Sequence, residues 1–91
     1  MTITPTVTSW NFGYGYGTGD LGLFEVKTEF VKNRYQALKL ARKEFKYRMR
    51  DRNVKIYEIQ TRLIFVNKKL DFKHYSIKLY YTAKWFQKFL T

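Results

Sequence analysis

Residues 23–53, "LFEVKTEFVKNRYQALKLARKEFKYRMRDRN", change their apolar spacing part-way along, and that change decides the fold. From Leu23 to Phe30 the period is two: Phe24, Val26, Thr28 and Phe30 point one way, and Glu25, Lys27 and Glu29 the other. This is the pattern of a half-buried strand. Asn33, with Gln36 three residues on, then makes a helix N-cap and its reciprocal partner, and Asp51-Arg52-Asn53 makes an ending. Between them the period is helical. At ~100° per residue Val31, Tyr35, Leu38, Ala41, Phe45 and Met49 gather on one face, which is assigned to the core.

Beyond residue 53 two β-rich runs, Val54 to Val66 and Phe72 to Trp85, flank Asn67-Lys68-Lys69-Leu70-Asp71, a loop of hairpin length. The second run alternates cleanly, with Tyr75, Ile77, Leu79, Tyr81, Ala83 and Trp85 on one face. The first does not. Tyr57, Ile59, Leu63 and Phe65 share a face, yet Val54, Ile56, Ile64 and Val66 make the other apolar too. Either a C-terminal segment, Phe86 to Leu90, folds over that second face, or the face is an oligomer contact.

The predicted fold is α+β in the order β-α-β-β. A three-stranded antiparallel sheet with a long C-terminal hairpin carries one helix packed on a face, and an extended N-terminal arm precedes it. Residues 1–22 form the Gly/aromatic arm and residues 23–91 the basic domain.

Charge divides the chain at the same place. All 18 Lys and Arg of the 91 residues lie from Lys27 onward, against five of the seven acidic residues. The body is therefore a surface for polyanions: nucleic acid, acidic protein or anionic lipid. Cysteine is absent, which excludes disulfides, thiolate metal sites and a cysteine nucleophile. No segment approaches the ~20 apolar residues of a membrane span, and the first residues lack a signal-peptide pattern. The expectation is a soluble intracellular protein or a virion component.

On the helical wheel Lys39, Lys43, Lys46 and Arg50 fall within an arc of about 60°. Lys32, just before the helix, points the same way, and Arg42 flanks the stripe together with Arg48 and Arg52. Glu44, the acid of this helix, lies on another face. Solvated helices usually mix their charges, so the unpaired stripe is taken as a polyanion-binding surface rather than a solubility device.

In the arm, "WNFGYGYGTGD" (residues 10–20) sets Trp10, Phe12, Tyr14 and Tyr16 on alternate positions among glycines. Ordering glycine costs backbone entropy, and exposed aromatics gain nothing, so something must cover them. The arm could pack back as an extra edge strand, thread into a neighbouring subunit, or stack on unpaired bases. Gly17-Thr18-Gly19-Asp20-Leu21-Gly22 spells G-x-G-x-x-G, but a dinucleotide site needs a helix after it and here a strand follows.

Catalysis has little to work with. His74, the sole histidine, is expected to be a solvated residue on the polar face of its strand, and no carboxylate pair or histidine cluster suggests a base or a metal site. The expectation is a non-enzyme without cofactors.

The order β-α-β-β with a long final hairpin resembles the dodecins, small flavin-storing shells, over roughly residues 23 to 85. That resemblance implies flavin binding. Where the family would place a flavin-stacking tryptophan, at the start of the second strand, this chain has Ile56, and the basic balance and aromatic arm depart from the family's pattern.

The leading reading is a non-catalytic binding and scaffolding module that docks a cationic helix face and an aromatic arm on a polyanion, with RNA in a larger assembly as first choice. The alternative is a structural linker or virion-type subunit that joins acidic protein subunits in a large complex. A dodecin-like flavin binder is the third reading.

Overall fold

A computed structural model describes residues 4–13 and 21–83, with Leu21 and Ala83 described by their backbone alone. Tyr14, Tyr16, most of the G-x-G-x-x-G stretch, Trp85 and the segment Phe86 to Leu90 lie outside the described residues. The elements are β1 (Thr6–Phe12), β2 (Leu21–Val31), α1 (Arg34–Arg48), β3 (Val54–Asn67) and β4 (Phe72–Ala83). They form an α+β fold with one antiparallel sheet in the order β1-β2-β4-β3.

The sheet has four strands, where the sequence predicts three. The added strand is β1, whose β-branched Thr6, Val7 and Thr8 favour extended backbone upstream of the glycines. It pairs with β2, setting Trp10 opposite Val26 and Phe12 opposite Phe24. A bulge between Val7 and Ser9 resets the alternation, so Val7 and Trp10 pack against the same core although three residues apart.

β2 follows its predicted alternation as far as Thr28, with Phe24, Val26 and Thr28 buried beneath the helix, but Phe30 leaves that face and Val31, assigned to the helix, belongs to this strand. A second bulge follows between Thr28 and Val31, where Phe30 adopts φ 62°. That left-handed backbone turns the strand so that Val31, three residues after Thr28, is buried as well. Asn33 Oδ1 then accepts from the Gln36 amide at 2.8 Å, and Gln36 Oε1 accepts from the Lys32 amide at 2.8 Å. This reciprocal pair satisfies one donor of the first helical turn, the Gln36 amide, and the Lys32 amide just before the N-cap.

The helix buries Ala37, Ala41 and Phe45, spaced four apart, with Met49 just beyond. Two alanines let it lie close to the sheet, and Phe45 spans the seam, 5.7 Å from the Phe24 ring and 5.4 Å from Tyr81. Tyr35 is not in the core, as the wheel assigned it, but 76% exposed. It stands about 160° from Ala37 on the helix, so burying both was impossible once the small residues faced the sheet.

β4 runs through the middle of the sheet and supplies Tyr75, Ile77, Leu79 and Tyr81 to the core. Tyr81 lies across Gly22 of β2, where any Cβ would strike its ring, so a side chain there would displace the tyrosine. Burial pushes the Tyr81 phenol above its usual 10.0, an effect that Arg52 partly offsets.

β3 carries two bulges of its own, between Ile56 and Glu58 and between Leu63 and Phe65. The regular ladder between them sets Ile59 opposite Leu79 and Thr61 opposite Ile77, on the helix side, and Glu58, Gln60 and Arg62 opposite Tyr80, Lys78 and Ser76, on the open face. The mixed alternation of this run is thus an alternation whose phase changes twice. α1 packs over β2, β4 and β1, which leaves β3 at the margin of its cover.

Candidate functional site

The outer face of α1 is set by what its inner face must bury. With Ala37, Ala41 and Phe45 against the sheet, Lys39, Lys43, Lys46 and Arg50 point directly away from it, and all four are exposed. They recur about once per turn, roughly every 5.4 Å along the axis. Arg42 is exposed beside them. Among the described residues none of these five cations forms an ion pair; the helix's one ion pair joins Arg48 Nε to Glu44 Oε1 at 3.1 Å, off the stripe.

Lys32 is exposed and precedes the N-cap. Its carbonyl accepts from Lys73 Nζ at 2.9 Å, which brings a second cation to that end of the helix. The positive end of the helix macrodipole adds to both. The described cations of the expected site are therefore placed along one helix, from Lys32 at its start to Arg50 past its end.

Two aromatic side chains that the sequence reading did not single out for binding flank the stripe. Tyr35 is 76% exposed and Tyr47 55% exposed. The Arg50 guanidinium lies 4.6 Å over the Tyr47 ring and donates to the Tyr47 carbonyl at 2.8 Å, and Arg48 approaches the same ring at 5.1 Å. Tyr35-x3-Lys39 and Lys46-Tyr47 set aromatics next to stripe cations, a signal that emerges only with the helix's inward face centred on its alanines, as the structure has it.

Trp10 and Phe12 of the expected aromatic anchor sit in β1. Trp10 is half-buried, its ring 5.6 Å from Phe24 and 5.5 Å from Phe12, with the Arg48 guanidinium 4.3 Å above it. It thus links the first strand to the last turn of the helix. Phe12 remains 49% exposed at the strand end.

His74 differs from its expected solvated position. It is half-buried because the Phe30, Phe65 and Phe72 rings pack around it at 5.3, 5.0 and 5.3 Å. Its Nδ1 lies 4.0 Å from Glu29 Oε1, and its Nε2 is buried without a hydrogen-bond partner. Among the described residues no group of three His, Asp or Glu side chains is gathered closely enough to hold a metal, and no helix is long and apolar enough to cross a membrane.

Comparison of the chain with models of known families, with curated proteins and with solved structures gave no match.

Proposed function

We propose that this protein is a non-catalytic binding and scaffolding module that docks the outer face of α1 on a polyanion, with RNA in a larger assembly as the partner. One observation carries the reading: a row of exposed cations, Lys39, Lys43, Lys46 and Arg50, faces solvent without an ion pair among the described residues. A row of like charges without counter-charges repels itself, and a polyanion relieves that repulsion while releasing its own counterions. The exposed Tyr35 and Tyr47 beside the row favour nucleic acid over an acidic protein surface, because unpaired bases can stack on them while Lys and Arg hold the phosphates. Phosphate contacts of this kind position the nucleic acid and carry no sequence information, so the module binds by charge and stacking.

The test is a titration of labelled single-stranded RNA at several salt concentrations. Five phosphate contacts give a log-log slope of about −3.5 on single strands. Reversing charge at Lys39, Lys43 and Arg50 together abolishes binding with the fold intact. Tyr35→Ala and Tyr47→Ala each cost about 1–3 kcal/mol of affinity at nearly the same slope. A flat salt response, or no binding at low salt, overturns the reading. Binding of an acidic protein that nucleic acid does not compete away moves the same face to the linker role.

A further inference from the structure

Among the described residues β3 is bordered by β4 alone, so one side of a 14-residue strand presents its backbone N–H and C=O groups outward. Edge strands of soluble proteins are ordinarily short, or guarded by charge and bulges. This one is long, and its second half is apolar and open on both faces: Leu63, Ile64, Phe65 and Val66 are 47, 52, 47 and 38% exposed. The two bulges bracket a regular stretch from Glu58 to Leu63, and that stretch is where another strand can add.

We infer that the occupant of this edge is the β3 of a second copy, paired antiparallel about a two-fold axis at Gln60. The argument is charge complementarity. Two-fold pairing that keeps like faces together allows only centres on a residue. Centred on Gln60, the pairing sets Glu58 opposite Arg62 of the second copy, and does so twice. Ile59 then faces Thr61, and the exposed apolar residues from Leu63 onward meet the Val54–Tyr57 segment of the other chain. Centred on Glu58 or Arg62, two like charges would be forced together, and centred on Ile59 or Thr61 neither charge meets its opposite. Opposite charges across an antiparallel pair stabilise it and like charges destabilise it, so Gln60 is the register that the sequence of β3 selects. Neither Glu58 nor Arg62 has an ion-pair partner among the described residues, and both are exposed on the open face beside Gln60, whose Nε2 donates to Glu58 Oε2 at 2.9 Å.

The axis of such a pair stands perpendicular to the sheet. The four-stranded sheets join into one of eight strands, and both α1 helices lie on the same side of it. An isologous contact of this kind closes on itself and leaves no edge strand at the junction. The inference does not depend on what the helices bind.

A charge-swap series tests the pairing and its register together, with mass read by sedimentation or light scattering at low salt and folding read by circular dichroism. The wild-type chain gives twice its 11.1 kDa. Glu58→Arg alone, or Arg62→Glu alone, sets like charges opposite each other at two places, weakens association on the order of tenfold or more, and gives the monomer mass on dilution. The double substitution Glu58→Arg/Arg62→Glu restores the dimer, as does mixing the two single variants. A wild-type monomer at high-micromolar concentration overturns the inference. A dimer that tolerates either single reversal, or a double variant that stays monomeric, overturns it too.

Discussion

Replacing Trp10 with alanine separates a docked strand from a free arm. The side chain is half-buried, so the loss is smaller than the ~3–5 kcal/mol of a fully buried tryptophan. Two ring contacts, with Phe24 at 5.6 Å and Phe12 at 5.5 Å, and one cation above the ring, Arg48 at 4.3 Å, bring the expected cost to about 2–3 kcal/mol. For a chain of this length that lowers the melting temperature by roughly 10–20 °C. Urea unfolding followed by circular dichroism gives the free energy, and calorimetry gives the temperature. Arg48→Met, which keeps most of the aliphatic stem, completes a double-mutant cycle with Trp10→Ala. The coupling between the two should be about 0.5–1 kcal/mol, while the loss of the exposed Glu44 ion pair cancels in the cycle. A loss below about 1 kcal/mol for Trp10→Ala, together with no coupling to Arg48, would show that β1 contributes nothing to the folded domain, and the reasoning from its ring contacts would fail.

Two further outcomes follow from the core. Thr28 is fully buried and its hydroxyl has no hydrogen-bond partner, so Thr28→Val should raise stability by about 1 kcal/mol in urea titration; a decrease would mean that the hydroxyl is satisfied. The Tyr81 phenol is held above 10.0 by burial. Below pH 10 both folded and unfolded forms keep that proton and its contribution to stability is constant; above it the unfolded chain loses the proton first, and stability falls as pH rises. Tyr81→Phe should flatten that alkaline fall, and an unchanged pH profile would contradict the sign.

The helix and the strands around it were legible because their signals are local. Asn33 and Gln36 form the cap that their spacing predicts, and β4, with β2 as far as Thr28, shows its buried face as plain alternation. What was not legible arose from bulges. β3 seemed apolar on both faces because its phase changes at Tyr57 and again at Ile64, and a period-2 reading cannot see a residue that adds itself to one side of a ladder. From the sequence β1 stood only as one of three fates of the arm, an extra edge strand. Val7 and Trp10 share a face only through a bulge, so Thr6-Val7-Thr8 and the aromatics after it show no single period-2 pattern. At the candidate site the cationic stripe could be read from the wheel, but Tyr35 could not. The wheel ranks residues by apolar character, whereas the sheet selected the small alanines that allow close approach.

The two central strands are neighbours in space and distant along the chain. The nearest pairing of β2 with β4 joins Val31 to Lys73, across the whole of α1 and β3, while β3 and β4 pair across a short turn from Asn67 to Phe72. A hairpin of the second kind closes in about 1–10 μs. Closing the first needs a loop of some forty residues, whose entropy must be lost before any of its contacts form. The slow step expected from this topology is the arrival of β2 and α1 on a hairpin already formed, where Phe45 comes to bridge Phe24 and Tyr81. β1 pairs with β2 across a far shorter separation, Phe12 opposite Phe24, so these two strands can pair before either reaches the hairpin. Substitutions at the Val26–Ile77 seam, which closes the long loop, should therefore alter how fast the molecule assembles.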